Sequence, residues 1–163
     1  MLLAMQSSFF QPAFSSATLE IRILEPAWHE GVSPFLDPGI PAARDLKVEN
    51  NGAVPAFVRM RINNPSFIPE GSNNPRPAFI FEALPETSTP NSSNPHWFDG
   101  GDGWRYYSDA LEPNSITAPL FCSIELDEGY PVKLYVQLER IAFYAQAIQA
   151  SIPGESPKNA FNP

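Results

Sequence analysis

The sequence predicts an all-β chain, an antiparallel β-sandwich of jelly-roll-like type with long Pro-rich loops. Three observations carry this. Nineteen of 163 residues are proline, more than twice the usual share, and proline removes a backbone donor and breaks helix interiors. Twelve Phe, five Tyr and three Trp supply the aromatic residues that strands favour. Apolar residues alternate with polar ones in short runs separated by turn signals, and the tally is about seven or eight short strands. A chain of this length forms one domain and buries roughly two-thirds of its unfolded surface. Periodicity alone does not separate jelly-roll from immunoglobulin-like topology.

In chain order, residues 1–16 form an apolar N-terminal arm without clean periodicity. It is a disordered arm, a strand of its own domain, or a strand lent to a neighbour. Residues 17–152 form the single sandwich domain, and 153–163 an exposed C-terminal tail. "ATLEIRIL" places Leu19, Ile21 and Ile23 on one strand face and Glu20 and Arg22 on the other. A loop from Glu25 to Asp45 is broken by Pro26, Pro34, Pro38 and Pro41. "LKVENNGAVPAFVRMRINN" reads as two strands about an Asn51-Gly52 turn that tolerates positive φ. Leu46 and Val48 point inward in the first, Val58, Met60 and Ile62 in the second, with Arg59 and Arg61 outward. "PAFIFEAL" is a strand around Phe79 and Phe81, followed by a long polar loop through residue 103.

"GWRYY" is a short aromatic strand with Trp104 and Tyr106 on one face and Arg105 and Tyr107 on the other. A turn at Pro113-Asn114 follows. "ITAPLFCSIEL" then puts Leu120, Cys122, Ile124 and Leu126 on the buried face. Leu134, Val136 and Leu138 alternate in the next strand, after which the phase slips to Ile141 and Phe143, as a bulge allows. The competing reading of 139–152 is a helix with Ile141, Ala145, Ile148 and Ile152 on one stripe.

Charge excludes several function classes. Asp and Glu number 18 against 10 Lys and Arg, a formal net charge of -8. Such a chain repels phosphate backbones and anionic lipid surfaces, so the expectation is no nucleic acid and no stable membrane insertion. No stretch approaches the roughly 20 apolar residues of a membrane span. "MLLAM" is too short for the core of a signal peptide, so either the protein is not secreted or a leader has been trimmed. Cys122 is the sole cysteine, which excludes an intramolecular disulfide and reads as a buried structural thiol.

Catalytic chemistry is sparse. His29 and His96 fall in loops, and neither belongs to an HExxH motif. A zinc site would have to gather both histidines with Asp37, Asp99 or Asp102 from distant loops, so solvated histidines are the plainer reading. "FDGGDGW" holds Asp99 and Asp102 at a spacing that fails the EF-hand pattern and reads as a solvated turn. No catalytic residue, metal ligand or cofactor is assigned. The second functional reading is a carbohydrate- or peptide-binding surface, which requires Trp97 and Tyr107 to be exposed and roughly coplanar. The third, a metal-dependent peptidase, requires converging ligands beside a cleft.

Three stretches share a further pattern: "LKVENNGAVPAFVRMRI" (46–62), "DGWRYYSDALEPNSITAPLFCSI" (102–124) and "AQAIQA" (145–150). In this order they resemble the strand, N-x-G turn and "PAYVRV"-like strand, the "GWYYY…L.PG.ST.PLF" stretch and the "AEAIQA" ending of the TasA/camelysin family of secreted Gram-positive proteins. Here Pro113-Asn114 stands in place of the family's Pro-Gly. The resemblance implies a jelly-roll β-sandwich and a secreted, extracellular or cell-surface protein that forms biofilm-matrix fibres. In these, the N-terminal strand of one subunit completes the sheet of the next. It implies self-association into a homopolymer, with a possible accessory matrix protein. The donor would be Ser7–Phe14, anchored by Phe9, Phe10 and Phe14. The family has also been classed with metallopeptidases, but no residues here match a peptidase site.

Overall fold

The computed structural model describes residues 18–24, 36–82, 94–131, 141–152 and 154–161. Phe9, Phe10, Phe14, His29 and the Leu134–Leu138 alternation lie outside these. The described strands are β1 (Ile21–Leu24), β2 (Ala42–Ala43), β3 (Lys47–Asn50), β4 (Ala56–Asn63), β5 (Ser66–Phe67), β6 (Arg76–Pro77), β7 (Phe79–Glu82), β8 (Trp97–Asp99), β9 (Arg105–Tyr107), β10 (Ser123–Leu126) and β11 (Ala142–Gln149). A helix, α1 (Pro157–Phe161), follows them. The chain is an all-β sandwich.

One layer is a four-stranded sheet in the order β11-β4-β9-β8. Its longest ladder pairs β11 with β4 antiparallel from Ala142↔Asn63 to Gln149↔Ala56. The second layer contains the sheets β2-β10-β7 and β1-β3. These are continuous, because β2 and β3 belong to one extended run that travels against residues 114–126. Between the named strands, Arg44 N donates to the Cys122 carbonyl (2.9 Å), Leu120 N to Leu46 (2.7 Å), Thr117 N to Val48 (2.9 Å) and Asn50 N to Ser115 (3.0 Å). Pro113 and Pro119 lack the N–H needed to keep that ladder regular. The Thr117 hydroxyl fills in by accepting from Val48 N at 3.0 Å.

The layers close on a core of Leu46, Val48, Val58, Met60, Trp97, Tyr107, Leu111, Leu120 and Phe121. A second core gathers Phe79, Ile124 and Leu126 with Leu36, Phe67, Ala78 and Tyr130. Leu46, Val48, Val58 and Met60 are wholly buried, as their alternation predicts. Asn50, also fully buried, ties the layers together. Its Nδ2 donates to the carbonyls of Val54 and Leu111 (both 2.8 Å), and its Oδ1 accepts from Gly52 N (2.9 Å).

Of the two readings left open for 139–152, strand is found at 142–149, and several other expectations are corrected. Phe143, Ala145 and Ala147 pack on the core, whereas Ile148 and Ile152 of the proposed helical stripe are exposed. The Asn51-Gly52 turn does not use its tolerance of positive φ; glycine is needed at 52 because a side chain there would strike the Thr18 carbonyl and the Glu20 amide. Asn114 does take a positive φ, at 62°, so Asn performs the turn expected of it. Alternation fails at 120–122: Leu120 and Phe121 are both buried and Cys122 only half-buried, because regular strand begins at Ser123, past the Pro119 bend. The C-terminal tail is not exposed throughout. Pro157 and Ala160 of α1 are buried, and Phe161 meets the Tyr106 ring edge-on at 5.9 Å.

Candidate functional site

β9 divides its aromatics between the two faces of its sheet. Tyr107 and the cross-strand Trp97 (register Trp97↔Tyr107) point inward, at 6% and 8% exposure, with ring centroids 5.1 Å apart and planes inclined by 58°. They are neither exposed nor coplanar, which overturns the surface-platform expectation for this pair. The physical reason lies in the facing layer. Next to Pro119, the Ala118 peptide takes its partners from the two rings. Trp97 Nε1 donates to the Ala118 carbonyl at 2.7 Å, and Ala118 N donates to the Tyr107 hydroxyl at 3.1 Å. Buried Trp and Tyr need such partners for their polar tips. Burial also pushes the Tyr107 phenol above its ordinary pKa, against the opposing effect of the Ala118 amide.

The outward face of the same sheet is different in kind. Register places Arg59 beside Tyr106 and Gln146, and Arg61 beside Tyr144. The Arg59 guanidinium lies 4.3 Å from the Trp104 ring centroid and 4.4 Å from that of Phe161. It donates twice to Gln146 Oε1 (2.9 and 2.7 Å) and once to the Tyr106 hydroxyl (3.2 Å). The Arg61 guanidinium lies 4.9 Å from the Trp104 ring centroid and 5.4 Å from that of Tyr144. The result is an alternating ladder, Phe161–Arg59–Trp104–Arg61–Tyr144, running from α1 across to β11. Arg61 and Tyr144 at its far end are exposed. Sequence alternation put both arginines outward and paired Trp104 with Tyr106, but gave no sign that Tyr144 and Phe161 would join them.

The "FDGGDG" stretch is the turn between β8 and β9. Asp99 Oδ1 accepts from Gly101 N (2.8 Å) and Asp102 Oδ1 from Trp104 N (3.0 Å). Tyr106 donates its hydroxyl to Asp102 Oδ2 at 2.6 Å. That bond, more than the Trp104 amide, holds the Asp102 carboxyl below its ordinary pKa. Gly101 and Gly103 have positive φ, and a side chain at Gly100 would run into the Tyr106 ring. Lys158 of α1 donates to the Gly100 carbonyl at 2.6 Å. These carboxylates are occupied in shaping the turn, and among the described residues no group of three His, Cys, Asp or Glu side chains is arranged to hold a metal. His96 Nδ1 lies 2.9 Å from the Asn94 carbonyl. Cys122 Sγ lies 3.5 Å from the Glu82 carbonyl.

The edges of the layers also differ. β1 carries an ion pair from Arg22 to Glu49 on its β3 neighbour. β11 is an edge strand of eight residues, AFYAQAIQ, with no charge and no proline. It pairs with β4 alone among the described residues, and β1 lies beside it without joining its ladder. No described helix is long and apolar enough to cross a membrane. Comparison with protein-family models, with curated proteins and with solved structures finds no match in any of the three.

Proposed function

We propose that this protein is a secreted, non-enzymatic structural protein of the extracellular matrix or cell surface that self-assembles into fibres by N-terminal strand donation. The observation that carries this reading is the edge of β11, which among the described residues pairs with β4 alone, β1 lying beside it without joining its ladder. Proteins ordinarily blunt a long edge strand with charges, proline or bulges, because its unpaired N–H and C=O groups template another strand. β11 has no charge or proline along eight residues. Addition of Ser7–Phe14 from a second copy would continue this sheet, with Phe9, Phe10 and Phe14 as anchors, by the β-augmentation that many recognition events use.

Two further points support the reading. Ala53 N donates to the Thr18 carbonyl (2.8 Å), and Ala150 N to the Pro55 carbonyl (2.9 Å). The point at which the arm joins the domain is thus at the same end of the sandwich as the C-terminus of β11. The resemblance to the TasA/camelysin family, with its jelly-roll sandwiches and matrix fibres, points the same way, and a homopolymer with or without an accessory matrix subunit fits it. The test is removal of residues 1–16, with folding checked by circular dichroism and assembly followed by light scattering and electron microscopy. The expected outcome is a folded protein that no longer forms fibres. Unchanged fibres would sink the reading.

A further inference from the structure

We infer that the arginine–aromatic ladder on the outer face of the β11-β4-β9-β8 sheet is a second self-association surface, which seats on the acidic groove of another copy. The inference rests on the self-assembly proposed above but uses neither the arm nor the β11 edge.

The argument begins with charge. The chain holds 18 acidic and 10 basic side chains, so carboxylates are plentiful. Arg22, Lys47, Arg76 and Arg105 each have one within ion-pair distance. Arg59 and Arg61 do not, among the described residues. Their contacts are rings, an amide and a phenol. Two cations of an acidic chain are therefore gathered on one face with no direct ion pair among the described residues, the Asp102 carboxylate being linked to Arg59 only through the Tyr106 hydroxyl. The Trp104 and Tyr144 rings, 4.9 and 5.4 Å from the Arg61 guanidinium, also restrict its freedom. A guanidinium already ordered loses less freedom when it meets a carboxylate, and its fork matches that group bidentately. Exposed Tyr144 and half-buried Trp104 add the amphipathic ring surface typical of interface anchors.

The complement is on the same chain. Beyond the Phe57 end of β4, a groove has Phe57 and Ile152 in its walls and Asp109, Glu112 and Glu155 around it. Ile152 is 60% exposed, a large apolar side chain awaiting cover. Apolar walls with a carboxylate rim suit a ring-stacked arginine. Patches of opposite sign on one molecule fit a second copy better than an unrelated partner, since each copy brings both halves.

The test uses the full-length chain with Phe9, Phe10 and Phe14 all replaced by Ser, which removes the proposed strand anchors. Sedimentation equilibrium should show concentration-dependent association. Adding Arg61→Glu should weaken it by roughly tenfold or more, since like charges then face each other. Mixing that variant with one carrying Asp109→Lys and Glu112→Lys should restore it. A monomer at every concentration, indifference to Arg61→Glu, or failure of the mixed pair to associate would each overturn the inference. The strand-donation reading is separable: fibres in the wild type with a monomeric Phe-to-Ser chain leave it standing while this inference falls. Fibres that persist in the Phe-to-Ser chain but vanish with Arg61→Glu do the reverse.

Discussion

Two aromatic pairs sit on opposite faces of one sheet and teach different lessons. Trp97 and Tyr107 are sealed in the core with both polar tips engaged by the Ala118 peptide. Trp104 and Tyr144 lie on the outer face, with arginine guanidinium groups over their rings. The residue types are the same, so composition cannot tell the pairs apart. What separates them is the facing layer. Inside, the irregular run around Pro119 leaves a peptide that needs partners, and rings with polar tips supply them. Outside, among the described residues only the short α1 crosses the sheet, so rings and cations stack on each other and part of the stack is exposed. The inner pair acts as structure, and the outer pair is available for contact.

The largest test of this contrast compares two truncations. Trp97→Ala removes a buried ring and the donor to the Ala118 carbonyl, and should cost about 3–5 kcal/mol in urea unfolding. Trp104→Ala removes a half-buried ring stacked on two arginines, and should cost no more than about 1 kcal/mol. Equal losses would mean that the outer ladder is as structural as the core.

Much of this arrangement was legible in the sequence. Strict alternation in 58–62 and 104–107 assigned Val58 and Met60 to the core, the two arginines to the outer face, and Trp104 and Tyr106 to one side. The Asn114 turn was legible because few residues other than Gly accept positive φ. What escaped was whatever depends on a distant partner. Alternation in 120–126 was over-extended because a proline bend lets neighbours Leu120 and Phe121 both turn inward. The exposed Trp97 that the binding-surface alternative requires is absent because its burial depends on Ala118, twenty-one residues away in the other layer. Sequence leaves strand and helix open in 139–152, and strand prevails at 142–149 because an eight-residue pairing with β4 outweighs the helix propensity of Ala and Gln. The ladder itself has no local signature, since Phe161 and Tyr144 reach it from the C-terminal part of the chain.

The inner pair can be probed by pH with less disruption. The Tyr107 phenol is raised by burial, so the folded state keeps that proton after the unfolded chain has released its own. Its contribution to stability is complete below about pH 10, the unfolded value. It falls as pH rises through the higher folded value, because the unfolded state then binds fewer protons than the native one. Tyr107→Phe should flatten this alkaline decline and, by leaving Ala118 N without its acceptor, cost about 1 kcal/mol at neutral pH. A decline of the same slope in both proteins would assign it to another group.

The smallest effect falls on the outer face, where Tyr106 links the ladder to the β8–β9 turn by donating to Asp102 and accepting from Arg59. Tyr106→Phe keeps the ring but removes the chief cause of the lowered Asp102 pKa. A carboxylate so lowered adds stability that is present above its unfolded pKa, near 3.8, and lost as pH falls through the lower folded value. Carboxyl carbon chemical shifts followed through an acid titration should therefore show Asp102 moving up toward its ordinary value in the variant. The Trp104 amide remains to hold it partly down. Because Asp102 is in solvent, the change should appear in its titration with little movement of the unfolding midpoint at pH 7. An unmoved Asp102 would mean that the turn's own amides set its charge, and that the turn is electrically independent of the ladder beside it.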